Sequence, residues 1–178
     1  MSGVTQLDNV LYVVCDGSSI IKKYTADTLS ALAEHIHVTG MTDPSDIVVC
    51  RHDRQLYIAD WDYIWRVSVD DHSKYVKWLS SPDSTTDTFH VWTLSLTSRR
   101  LLVTSSLPPT VRQYNTTNKQ QLCVVTLPQY VKCVHHAVET THGTFVVCHE
   151  GTSQSKWQCV VSELLRFCHV SVILLAVY

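Results

Sequence analysis

Four short β-type runs recur in this chain at a nearly constant interval, and that recurrence limits its fold more than any other feature. Leu11-Tyr12-Val13-Val14, Leu56-Tyr57-Ile58-Ala59 and Leu101-Leu102-Val103-Thr104 follow one another at 45-residue spacing, and Thr144-Phe145-Val146-Val147 comes 43 residues later. A period of this length carried on strands belongs to repeat architectures built from four-stranded units. A second regularity lies inside the units. Runs starting at Ile47, Trp92 and His135 each precede the recurring run by nine residues.

The second unit is the clearest. Ile47 to Cys50, Leu56 to Asp60, Tyr63 to Val67 and Lys74 to Leu79 read as four strands. They are rich in β-branched and aromatic residues and separated by polar, turn-like stretches. The third unit repeats the order with His90 to Leu94, Leu101 to Thr104, Val111 to Tyr114 and Leu122 to Val125. In the first unit the innermost strand is expected to be mostly missing, because only nine residues precede Val10. Breaks between units are expected near Thr42, Ser84 and Gln129, giving units 1–41, 42–84, 85–129 and 130–155 onward. One local signal conflicts: Ala26 to Ile36 has helix formers with apolar Leu29, Leu32, Ala33 and Ile36 at helical spacing. The repeat demands a turn and an outer strand there, and pairing commonly overrides propensity. The stretch 156–178 is a divergent apolar tail, read either as an outer strand or as sequence foreign to the repeat.

Composition narrows the function classes. Charged residues make up 17% of the chain, below the usual quarter, as expected of sheets buried on both faces. A net charge of −2 and isolated basic pairs, Lys22-Lys23 and Arg99-Arg100, give no electrostatic footprint for nucleic acid. Seven cysteines without CxxC spacing support neither a disulfide nor a zinc framework. With no signal-like start at Met1, a reducing, cytoplasmic location is the expectation. The apolar tail of nine residues from Val170 is far short of the roughly 20 that a membrane helix needs, so no membrane partner is expected.

The four-stranded units look like blades of a β-propeller. Leu56 to Val67 (LYIADWDYIWRV) resembles the NHL repeat, in which an LYVAD strand leads through a polar turn to an RI or RV strand. Thr42-Asp43-Pro44-Ser45-Asp46-Ile47-Val48-Val49 is similar to that family's P-x-G-I-A-V blade lead-in, with Asp46 where a small residue is usual. The same strand also resembles YWTD propellers, keeping Tyr57 and Asp60. The resemblance covers about residues 4–152 and implies an all-β fold of four-stranded antiparallel blades. About four blades would be present, part of a six-bladed, TolB-like ring.

Catalytic signatures are missing: no GxSxG, GxxxxGK[ST], GxGxxG or HExxH motif occurs. His135 and His136, as strand neighbours, should face opposite ways, and His35 and His37 belong to an outer strand. No metal or cofactor is therefore expected. In a meander, the turns between second and third strands share one rim with the links between blades. That rim gathers Asp16, Asp60, Trp61 and Asp62, the segment Ser105 to Pro109, and His149 and Glu150. Asp16 and Asp60 have a plainer explanation as turn residues that accept backbone N–H groups. Trp61 does not, and it is expected to be exposed while Trp65, Trp78 and Trp92 pack within or against the blades. The resemblance implies a non-enzymatic protein-interaction module, a scaffold of the kind found in TRIM-like ubiquitin ligases. It also implies RNA as a partner in some relatives; no small-molecule substrate is expected. The alternatives are a metal-dependent lactonase-like propeller, to which Asp46, Asp60 and Glu150 could lend oxygens, or a partial gene product without independent function.

Overall fold

The computed structural model describes residues 2–80, 90–131 and 134–150 and the two strands within 160–177; for Glu150 and those two strands only the backbone is described. Every regular element among the described residues is a strand. They divide into two compact units, Met1–Val91 and Trp92–Tyr178.

The first unit holds two sheets. One is β1 (Gly3–Leu7), β2 (Val10–Val14), β3 (Ile20–Thr25) and β4 (Ile36–His37), in that spatial order and antiparallel throughout. The other is β5 (Pro44–Cys50), β6 (Gln55–Asp60), β7 (Tyr63–Ser68) and β8 (Tyr75–Ser80), likewise a simple meander. Contrary to expectation, the first sheet possesses its innermost strand. The reason is turn length: Asp8-Asn9 alone, with Asp8 at φ +53°, joins β1 to β2, whereas four residues join β5 to β6. The tighter hairpin fits a five-residue strand into the few residues available. β1 lies so close to β5 that a Cβ at Gly3 would sit 2.8 Å from the Ile47 nitrogen, so only glycine fits there.

The segment with helical periodicity forms no helix. Ala26 to Ser30 makes a turn, with Leu29 donating its N–H to Thr25 at 3.0 Å and Tyr24 bridging to Ala31, before the short β4. Leu7, Tyr12, Val14, Ile21, Ile36, Ile47, Leu56, Ile58, Trp65 and Val67 form one buried cluster spanning both sheets of this unit. Burying each such side chain contributes about 1.5–3 kcal/mol. β6 is buried from Leu56 to Asp60 without alternation, which is why its sequence reads as a continuous apolar run.

The second unit begins with β9 (Thr93–Thr97), β10 (Arg100–Ser106), β11 (Pro109–Asn115) and β12 (Gln121–Thr126), again an antiparallel meander. Its innermost strand starts three residues later than the sequence reading placed it. His90 and Val91 belong instead with the first unit, where Val91 donates its N–H to the Trp61 carbonyl at 2.6 Å. The last sheet is β13 (Val134–Glu139), β14 (Phe145–Glu150), β15 (Val160–Phe167) and β16 (Val170–Val177), in the order β13-β14-β16-β15. Here the meander fails. β14 and β16 pair in parallel, correcting the expectation of antiparallel pairing in every unit. The divergent tail thus supplies two strands, and the one reached second in the chain takes the place beside β14. Leu102, Val111, Val125, Val134, Ala137, Phe145 and Val147 form this unit's buried cluster.

Candidate functional site

The tight hairpin between β6 and β7 organises the site. Asp60 pairs with Tyr63, leaving Trp61 and Asp62 as a two-residue loop. Asp60 does not reach the surface: it is 1% exposed. Its carboxylate accepts N–H bonds from Asp43 at 2.6 Å and Thr42 at 3.2 Å, and the indole N–H of buried Trp65 at 2.7 Å. A carboxylate holding two backbone donors and a buried side-chain donor fixes the link between the two sheets of this unit. Asp60 is therefore the turn residue of the plainer explanation.

Trp61 is the opposite case. Its side chain is 44% exposed, and its backbone sits at φ +50°, a left-handed conformation that bulky residues rarely adopt. Such a residue costs about 1–2 kcal/mol relative to one that tolerates the conformation. The ring stacks on His90, with centroids 4.4 Å apart and planes inclined by 30°. His90 is itself anchored: its Nδ1 lies 2.9 Å from the Asp62 carboxylate. Loop, acid and imidazole thus hold one indole out into solvent with one of its faces covered.

Further groups lie on the same β6–β8 hairpin ladder. Lys77 places its ammonium 3.4 Å from the Tyr63 ring centroid and 5.4 Å from that of Trp65, a cation–π arrangement. Asp43, whose N–H binds Asp60, has its carboxyl pushed above the usual carboxylate range, chiefly by a hydrogen bond with Asp16, then by burial and the charges of Asp16 and Asp60. Asp16 and Asp43 are both exposed.

The remaining rim residues fall in the second unit. His149 is 3% exposed, opposite Val134 at a β-bulge and 6.3 Å edge-on from the Tyr130 ring. It holds the place in its sheet that Asp60 holds in its own, where a bulge after Pro44 produces the same pairing. The Glu150 side chain is outside the described residues. Trp92 departs from expectation. It is 38% exposed rather than packed on a blade, because β9 begins only after it, although its N–H bonds to Thr104 at 2.9 Å. The β13 bulge also breaks strand alternation, leaving His135 and His136 both exposed. Among the described residues no group of three His, Cys, Asp or Glu side chains could hold a metal ion. The described cysteines, Cys15, Cys50, Cys123 and Cys148, carry thiols. His90 is the member of this cluster that the sequence alone does not point to. Its place beside Trp61 depends on a strand boundary three residues from where the period put it.

No family model and no curated protein matches the chain by sequence. Solved structures do match it by shape. A chain of the mitotic checkpoint complex aligns at TM-score 0.55 and 12% identity over 73% of this chain and 37% of its own length. Kuenenia stuttgartiensis hydrazine synthase aligns at 0.64 and 12% over 86% of this chain and 43% of its own. The Cps50 (Swd1) β-propeller domain of Myceliophteria thermophila aligns at 0.60 and 10% over 80% and 48%. The chain is built of β-propeller blades. It spans less than half the length of each of these structures, and at such low identity the likeness concerns fold alone.

Proposed function

We propose that this chain is a non-enzymatic, propeller-type interaction module that engages a protein partner through the Trp61 turn. The single observation that carries this reading is an exposed indole kept at a left-handed backbone position and braced by His90 and Asp62. Strained, exposed aromatics cost stability, and strain of this kind gathers at functional positions. Large aromatics are also the residues that dominate binding energy at protein interfaces. A structural neighbour drawn from a mitotic checkpoint complex is in keeping with a scaffold role. The finer reading is an NHL-type propeller in a cytoplasmic, ubiquitin-ligase-type scaffold, and it rests on the LYIAD strand and the RV strand that follows it.

The test is capture of partners on immobilised wild-type chain and on Trp61→Ala. The variant should keep its melting temperature within a few degrees and lose the captured protein. A variant that captures the same protein as well as wild type would overturn the reading.

A further inference from the structure

Charge is divided unevenly along this chain. Met1–Val91 carries 13 Asp and Glu against 7 Lys and Arg, a net −6, while Trp92–Tyr178 carries 3 against 7, a net +4, and contains no Asp. The overall charge of −2 hides this division. The Trp61 turn belongs to the acidic unit. One ring face is stacked on His90, and the residue as a whole remains 44% exposed. Asp62 is next in the chain, and Asp43 joins the same turn through its N–H bond to Asp60, with Asp16 hydrogen-bonded to it in turn. An exposed indole in a turn that carries Asp62 and is tied through Asp60 to Asp43 and Asp16 offers what a cationic side chain needs. The ring quadrupole attracts the cation from above, and the acids supply opposite charge from the side.

We propose that the occupant of the Trp61 face is a basic segment of a protein partner, with an arginine or lysine side chain laid on the exposed indole. This deepens the interaction reading above and rests on it. Arginine suits the place better than lysine. Its planar guanidinium stacks on an aromatic while its N–H groups reach carboxylates at the edge. Crowding between Asp16 and Asp43, which resists the ionisation of Asp43, would be relieved by such a cation.

The experiment measures fluorescence anisotropy of a short fluorescein-labelled peptide of alternating arginine and glycine, titrated with the full chain. Companion peptides carry glutamine or glutamate in place of arginine. The arginine peptide should bind saturably, and its affinity should fall as NaCl rises, since screening shortens to about 3 Å at 1 M. Trp61→Ala should weaken it about tenfold, and an Asp16→Asn/Asp43→Asn double variant should weaken it comparably. Trp61→Phe should retain more of the affinity than Trp61→Ala.

Equal binding of the glutamine peptide would overturn the proposal. So would an arginine peptide that fails to bind, or one whose affinity neither set of variants changes. Saturable binding of a single-stranded RNA oligomer in place of the arginine peptide, lost in Trp61→Ala, would overturn it too. Partner capture separates the two levels. If Trp61→Ala abolishes capture while the arginine peptide fails to bind, the interaction reading stands and the basic class falls.

Discussion

Met1–Val91 and Trp92–Tyr178 each present an exposed tryptophan, yet the two indoles are built in different ways. Trp61 occupies a two-residue turn at φ +50°, with His90 and Asp62 arranged around it. Trp92 precedes its strand, is tied to β10 by its own N–H, and has no left-handed backbone. Each unit also has a buried polar residue opposite a β-bulge: Asp60 in the first unit and His149 in the second. In the first unit that residue is a carboxylate with backbone and indole donors around it, so the turn above rests on a fixed base. The surrounding charge is negative in the first unit and positive in the second. The comparison teaches that the first unit joins a left-handed, exposed aromatic to a neighbouring acid and imidazole at one turn. The other has spent its polar residues inside.

The largest expected effect tests that base. Asp60→Ala removes the acceptor of the Thr42 and Asp43 amides and leaves the buried Trp65 indole N–H without one. Unfolding free energy should fall by about 3 kcal/mol, the sum of a lost charge-assisted bond and an orphaned donor. Denaturant titration gives the number; a loss below about 0.5 kcal/mol would mean that the turn does not depend on this carboxylate.

A buried acid in the second unit makes the counterpart. The Glu139 side chain is 5% exposed, accepts from Arg100 at 2.9 Å and from Gln113 at 2.9 Å, and lines a cleft with Thr97, Arg100 and Thr140. Glu139→Gln keeps the shape and loses the charge, so a cost of about 1–2 kcal/mol is expected. If Glu139→Gln destabilises more than Asp60→Ala, the ranking of the two units is reversed.

Next comes the strained turn itself. Trp61→Asn relieves the left-handed backbone, which asparagine tolerates, but gives up a ring stack worth about 0.5–1.5 kcal/mol. These offset one another, so the melting temperature should stay within a few degrees of wild type while partner capture is lost. A collapse of stability would make Trp61 a packing residue.

The smallest effects are electrostatic, and they oppose each other within the acidic unit. Asp71 is held down to about 2 by the Ser73 hydroxyl and by Lys74. A depressed acid stabilises the fold above its ordinary 3.8, and that contribution disappears as pH falls through about 2. Asp43 is raised, so its contribution is present below the ordinary value and is lost as pH rises through its folded value. Both sites are exposed and screened. Melting curves of Asp71→Asn and Asp43→Asn between acid and neutral pH should therefore deviate from wild type only slightly and with opposite slopes. Deviations of the same sign would contradict the assignment.

Most of the fold was legible because repetition averages over local ambiguity. The LYVV, LYIA and LLVT runs became β2, β6 and β10, and the helix-like Ala26 to Ile36 gave way to pairing, as the period required. Legibility failed wherever the period was interrupted. The first strand fits only because Asp8 accepts a positive φ, which no count of residues reveals. The parallel placement of β16 beside β14 is a long-range choice without a local signal. Of the rim residues, Trp61 and Asp62 could be placed from the turn between two obvious strands. His90 could not, because it reaches Trp61 from 29 positions along the chain, where the period places a strand of the next sheet.

The central claim, that the acidic Trp61 turn and not the second unit meets the partner, is tested most directly by hydroxyl-radical footprinting. The two exposed indoles serve as paired reporters in one sample of the full chain. Adding the captured partner should lower oxidation of Trp61 several-fold and leave Trp92 unchanged. Protection of Trp92 with Trp61 still fully reactive would contradict the account.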